Sequence, residues 1–160
     1  MLGCVSVQVV RFHPRSRRIH VGCDEVFGFA SCPDCKRAVS KPRGHETLFL
    51  NHVLHVVREC VTVHKVQPFI WHDMVNTFSA EALVPLAQAG VQVVVWSYGT
   101  EVEAALPDGL WQRLTAAGVD VWGASAFKGA SEPNAVWVPV VKHLSNHNSW
   151  LRIAEEVRRR

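Results

Sequence analysis

The chain has 160 residues, 48% of them hydrophobic and 19% charged, a balance that fits a globular domain and excludes a disordered chain. No apolar run approaches the roughly 20 residues that cross a bilayer, so no membrane-spanning helix is expected. With 17 Lys and Arg against 14 Asp and Glu the net charge is only +3, and no aromatic residue alternates with arginine in Arg11 to Arg18 or Arg158 to Arg160, so no nucleic-acid partner is expected.

Residues 1–17 read as an N-terminal connector. Met1 to Val10 is apolar, but its basic residues follow it rather than precede it and no small-residue cleavage site appears, so it is not read as a targeting segment. Five cysteines, an odd number, predict a reducing compartment, the cytosol or nucleus. Residues 18–160 alternate short apolar runs with helical patterns, the mark of an α/β fold with a parallel sheet. The first strand is predicted at Arg18 to Asp24. A helix follows at Leu48 to Val61, where Phe49, Leu50, Val53, Leu54, Val57 and Val61 recur at intervals of three and four. The second strand is Pro68 to Asp73, and the next helix, Ala80 to Ala89, stops at Gly90. The third strand is Val91 to Ser97, and its helix, Leu106 to Ala117, stops at Gly118. The fourth strand is Val119 to Trp122. A last helix, Lys142 to Arg158, carries Leu144, Leu151 and Ala154 on one face. Rich in Val and Ile, the strands predict burial on both faces.

Ala89-Gly90-Val91 and Ala117-Gly118-Val119 echo each other about 28 residues apart, each glycine standing where a left-handed helix cap is expected. No glycine-rich phosphate loop follows the first strand, where Glu25-Val26-Phe27-Gly28 stands, so no dinucleotide fold is indicated. Four βα units are half of the eight that close a barrel.

The strands end in chemically useful residues: His20-Val21-Gly22-Cys23-Asp24-Glu25, Trp71-His72-Asp73, Trp96-Ser97-Tyr98 and Trp122-Gly123-Ala124-Ser125. In parallel α/β folds such ends share one mouth. Alternation places Trp71 with Asp73, and Trp96 with Tyr98, on one strand face. Indoles beside a carboxylate and a phenol offer a sugar ring a stacking surface and hydrogen bonds. Asp24 and Glu25 reach one ligand only if the strand breaks there, as Gly22 allows. In a partly apolar cleft two such carboxyls would titrate apart, leaving an acid beside an anion.

His20-Val21-Gly22-Cys23-Asp24-Glu25 resembles the His-x-Gly-x-Asp-Glu signature of family 20 glycoside hydrolases, within it most closely the hexosaminidase D branch. Phe69 to Met74, Val94 to Tyr98, Val121 to Ala130 and His143 to Leu151 resemble later strand ends and the following helix of that branch, in the same order. The resemblance spans about residues 10–154. It implies that residues 18–160 are part of a (β/α)8 TIM barrel, covering strands four to seven, and that the chain is a partial catalytic domain acting on terminal β-linked GalNAc or GlcNAc of a glycoconjugate. The implied chemistry is retaining and substrate-assisted. Glu25 would protonate the leaving oxygen, and Asp24 would hold the 2-acetamido group as its carbonyl oxygen attacks the anomeric carbon. Trp71, Trp96 and Trp122 would wall the sugar, Tyr98 would bond the acetamido oxygen, and Asp73 would bind a hydroxyl. No metal or cofactor is implied. Cys23 replaces a glycine usual in the wider family, and His72 and Ser97 replace acidic residues of the branch. Counterparts of strands one to three and eight are missing, and the open sheet edges that would result predict self-association.

Other readings stay open. One is a noncatalytic α/β remnant or small-molecule binding module. Another is a metal or redox module built on Cys32-Pro33-Asp34-Cys35, with His52 and His55 as further zinc ligands, although their spacing is short by one residue. Trp111, Trp137 and Trp150 read as packing residues, and His64, His143 and His147 as surface or capping residues.

Overall fold

In the computed structural model, residues 8–127 and 131–159 are described. The first strand, β1, is Arg18–His20. Helices α1 (Pro33–Val39) and α2 (Gly44–Thr62) lead to strand β2, Gln67–Trp71. Then come α3 (Ala80–Gln88), β3 (Gln92–Trp96), α4 (Leu110–Ala116), β4 (Val121–Ala124) and α5 (Val140–Arg159). The strands form one parallel sheet in the order β1-β2-β3-β4. The α/β class and the repeated βα units are as the sequence predicts.

Strand order decides where the helices go. Right-handed crossovers between consecutive neighbours lay every helix on the same side of the sheet. The core accordingly joins Ile70, Val93 and Val95 to Val53 and Val57 of α2, Leu83 and Leu86 of α3, Leu110 and Leu114 of α4, and Trp150 and Ile153 of α5. The register aligns His20 with Phe69 and Gln92, and Trp71 with Val94 and Trp122, on the opposite face. None of these residues belongs to the helix-side core. This corrects the expectation of strands buried on both sides: β2 alternates buried and half-buried positions, and only β3 is buried through most of its length.

Several boundaries differ from the predicted ones. β1 ends at His20 rather than Asp24 because Gly22 and Cys23 turn to positive φ, 77° and 69°. β4 runs two residues later than predicted. The fourth helix is shorter, since a 3-10 turn at Glu103–Ala105, Pro107 and a left-handed Gly109 precede it. Helix α1 has no counterpart among the predicted elements.

The two cap glycines behave as predicted. Gly90 and Gly118 have φ of 72° and 73°, and each closes the same pair of bonds: Gly90 N–H to Ala87 C=O with Val91 N–H to Leu86 C=O, and Gly118 N–H to Thr115 C=O with Val119 N–H to Leu114 C=O. One fold device thus delivers both β3 and β4 to the sheet.

The face of α5 is the reverse of the predicted one. Leu144 and Leu151 are exposed, while His143, Asn146, Ser149, Trp150 and Ile153 are buried. Trp150 lies flat on β4, where a Cβ on Gly123 would stand 2.7 Å from its ring. Its edge meets Trp111, ring centroids 6.4 Å apart, so both pack as expected. Trp137 does not, being 85% exposed, and His143 is buried rather than on the surface.

Gly44 opens α2 at the point where α1 ends. A Cβ there would sit 2.5 Å from the Ala38 carbonyl oxygen and from Val39 Cα, atoms of the backbone that cannot step aside by rotating a side chain. Gly44→Ala is expected to destabilise the chain by about 1–3 kcal/mol, read as a lower urea midpoint with an unchanged slope.

Candidate active site

The carboxyl ends of the four strands share one rim, and the polar face of the sheet runs up to it. Pairing of β1 with β2 continues past His20 through Val21 N–H to Phe69 C=O and Trp71 N–H to Gly22 C=O, and then the chain leaves the sheet. Glu25 also has positive φ, 43°, so the acid pair sits in a tight, irregular loop rather than on a strand. Asp24 folds back: its Oδ1 lies 3.5 Å from the place a Cβ on Gly22 would take. Asp24 and Glu25 are both exposed, which differs from the partly apolar cleft expected for them.

Asp73 ties this loop to the rest of the rim. Its Oδ2 accepts the backbone N–H of Glu25 at 2.7 Å, and its Oδ1 accepts the indole N–H of Trp96 at 3.2 Å. Residues 48 positions apart in one bond and 23 in the other thereby meet on one carboxylate. Trp96 stacks on Tyr98, ring centroids 5.0 Å apart. Asp73, Trp96 and Tyr98 line a cleft of about 610 Å³ together with His72, Asn76 and Leu106.

Trp71 stands beside this cleft with His20 on it, their rings 4.3 Å apart. Trp122 is not at the rim. It lies within β4, level with Trp71, and its ring leans toward the strand beginnings, 5.6 Å from Phe69 and 5.3 Å from the Arg18 guanidinium. Its indole N–H donates to Gln92 Oε1 at 2.8 Å. The structure therefore brings Asp24, Glu25, Asp73, Trp96 and Tyr98 to one rim, sets Trp71 just below it, and leaves Trp122 on the floor of the same face.

Electrostatics follow from burial. The Cys23 thiol is pushed up to about 11, first by burial and then by the negative charges of Asp24 and Asp73, so it is a neutral neighbour of the acids. Burial holds His72 below the usual imidazole range, partly offset by Asp73. A neutral ring suits its contacts: Nδ1 accepts Trp96 N–H at 3.4 Å, and the ring meets the Trp96 indole edge-on at 5.7 Å. His72 and Ser97, departures from the branch pattern, both fit locally. Ser97 Oγ accepts Gly99 N–H, at 3.3 Å.

Sequence reasoning missed Asn146. It is fully buried on α5, where its Nδ2 donates to the Ser97 and Gly99 carbonyls and its Oδ1 accepts Ala126 N–H at 2.7 Å. It clamps the loops after β3 and β4 together. The signal was present: an asparagine recurring at helical spacing with His143, Ser149 and Trp150. Lys128-Gly129-Ala130, the last part of one resembling segment, lies outside the described residues. No group of three or more metal-ligating side chains occurs among the described residues, and His52 and His55 are exposed on α2.

Two curated relatives match nearly the whole chain. The chain is 32% identical to human hexosaminidase D over 96% of its own length, and 32% identical to bovine hexosaminidase D over 94%. This chain is hexosaminidase D-like. It spans 32% of the human protein and 44% of the bovine one. No family model matches it.

The buried His72 generates a pH dependence. The unfolded chain holds its proton near the ordinary value of 6.5 while the folded one releases it more readily. Stability is therefore complete above that pH and falls as pH drops toward the folded value. Urea titrations between about pH 7.5 and 5 should show this loss, and it should shrink in His72→Asn, which keeps an acceptor but cannot titrate. An identical slope in both proteins contradicts the assignment.

Proposed function

We propose that the chain carries the acid-bearing part of an exo-β-N-acetylhexosaminidase site, acting on terminal β-linked GalNAc or GlcNAc. The observation that carries the reading is the Asp73 bridge, which joins the Asp24-Glu25 loop to Trp96 and so to Tyr98 at one rim. The names of the relatives point to the same substrate class.

The chemistry follows the family scheme of substrate assistance. Glu25 gives its proton to the departing glycosidic oxygen. The substrate's own acetamido oxygen attacks the anomeric carbon, Asp24 stabilises the positive charge that spreads to the acetamido nitrogen, and Tyr98 holds that oxygen in line. Trp96 and Trp71 wall the ring. Asp73 serves mainly to position Glu25 and Trp96, with lone pairs left over for a sugar hydroxyl. Trp122 acts as the floor beneath the site. Water then opens the oxazoline-like intermediate, with Glu25 as base, to return retained configuration.

We further infer that the sheet is half of a (β/α)8 barrel. Consecutive strand order, helices on one side and a polar aromatic surface on the other support it, as does the greater length of the relatives. On this reading the aromatic face is an inner wall and β1 and β4 are open edges.

Release of 4-nitrophenol from its N-acetyl-β-galactosaminide and N-acetyl-β-glucosaminide tests the catalytic proposal. Glu25→Gln should lower the rate by at least about 100-fold, and equal rates in the two proteins refute the mechanism. A sugar that binds calorimetrically without turnover would favour the binding-module reading, which the exposure of both acids supports. The open edges should make the 160-residue chain self-associate in sedimentation experiments. A cooperative monomer across the concentration range counts against the half-barrel proposal.

A further inference from the structure

Cys32 and Cys35 lie outside the sugar-binding rim, and neither proposed catalysis nor packing uses them. Cys32 is the residue before α1, with extended backbone, φ −74° and ψ 157°, and Pro33 starts the helix behind it. The backbone N–H of Cys35 donates to Cys32 Sγ at 3.3 Å. Cys32 Sγ thus lies against the backbone of Cys35, and the first turn of α1 carries both thiols. Cys32 is exposed and Cys35 half-buried. The other described thiols are set apart from them: Cys60 is fully buried and Cys23 is half-buried among carboxylates.

Two thiols on one helical turn have two common uses, zinc ligation and disulfide exchange. Zinc needs four donors, and no third ligand stands by this pair among the described residues. Exchange needs an accessible attacking sulfur and a second thiol close by, and the pair offers an exposed Cys32 whose sulfur sits on the backbone N–H of Cys35. We propose that Cys32 and Cys35 form a thiol–disulfide exchange site that takes small-molecule disulfides such as oxidised glutathione.

The step balances as follows. The Cys32 thiolate attacks one sulfur of the disulfide, its S–S bond breaks, and one glutathione thiolate leaves and takes up a proton. Cys35 then loses its proton and attacks Cys32 Sγ, releasing the second glutathione. The protein dithiol loses two electrons to form one disulfide, and the glutathione disulfide gains them. The backbone N–H of Cys35, donating to Cys32 Sγ, favours the Cys32 thiolate, while the Cys35 thiol, which would have to give up the proton it shares toward that sulfur, is raised. Of the charged neighbours, Asp34 opposes both thiolates and is itself paired with Arg37. The asymmetry makes Cys32 the attacking sulfur and Cys35 the resolving one. This reading does not depend on the glycosidase proposal.

The test uses the full chain, with Cys4→Ser in every arm, reduced and freed of metal by a chelator, then exposed to oxidised glutathione and mapped by peptide mass. A Cys32–Cys35 disulfide should form at least about tenfold faster than any modification of Cys23 or Cys60. Cys35→Ser should stop at a mixed disulfide on Cys32. Cys32→Ser should yield no internal bond and slow the reaction of Cys35 by about tenfold or more, with far-ultraviolet circular dichroism showing both variants folded. First attack at Cys35, no internal disulfide, or stoichiometric zinc that blocks the thiols and is lost in Cys32→Ser overturns the proposal.

Discussion

Consecutive order of four parallel strands is the constraint from which the remaining architecture follows. Because every crossover returns on the same side, the sheet has one face packed by helices and one face that no helix in the described chain covers. The covered face must be aliphatic, and Ile70, Val93 and Val95 meet that requirement. The other face is free to carry His20, Phe69, Trp71, Gln92 and Trp122, joined by ring contacts and an indole hydrogen bond, and Trp96, whose indole donates to Asp73. A sheet with so unequal a pair of faces concentrates its chemistry on one of them.

Two polar side chains then set the rim. Asp73 works across the sheet, holding an indole and a loop amide, and Asn146 works from behind it, holding the loops after β3 and β4. Each satisfies backbone or indole groups that would otherwise be costly to bury. Neither bond set is local in sequence, so the rim's geometry depends on the whole sheet being assembled.

Legibility in the sequence tracked the range of the interactions. Gly90 and Gly118, whose conformation is decided within one helix turn, were read correctly, as were the four strand positions set by Val and Ile runs. Period-two alternation placed Trp96 with Tyr98 on one face, and their rings do meet, but it did not show that Asp73 reaches Trp96. What escaped was set by distant partners. α5 presents Leu144 and Leu151 outward because Asn146 and Trp150 find backbone carbonyls and the bare surface of Gly123 across the chain, and periodicity alone cannot tell a polar buried stripe from a solvated one. Trp122 reads as a rim residue if β4 ends at it, but the strand continues to Ala124, and its indole is drawn down to Gln92. The short α1 has too few residues to show a period.

The exposure of Asp24 and Glu25 bears on what the sheet still requires. In the proposed mechanism Glu25 is the general acid, and a general acid works best in a site that excludes water. The loop's positive-φ turns and the Asp73 bond already fix the backbone of Glu25, so orientation is in place before cover is. On the half-barrel reading that cover comes from beyond the edges of β1 and β4, where a further strand can add to the backbone. Completing the sheet would thus do two things at once: satisfy the edge hydrogen bonds and dry the mouth. On the proposed reading, barrel closure and catalytic competence are one event, and the acid pair, already held in place, contributes chemistry only once the wall opposite it exists.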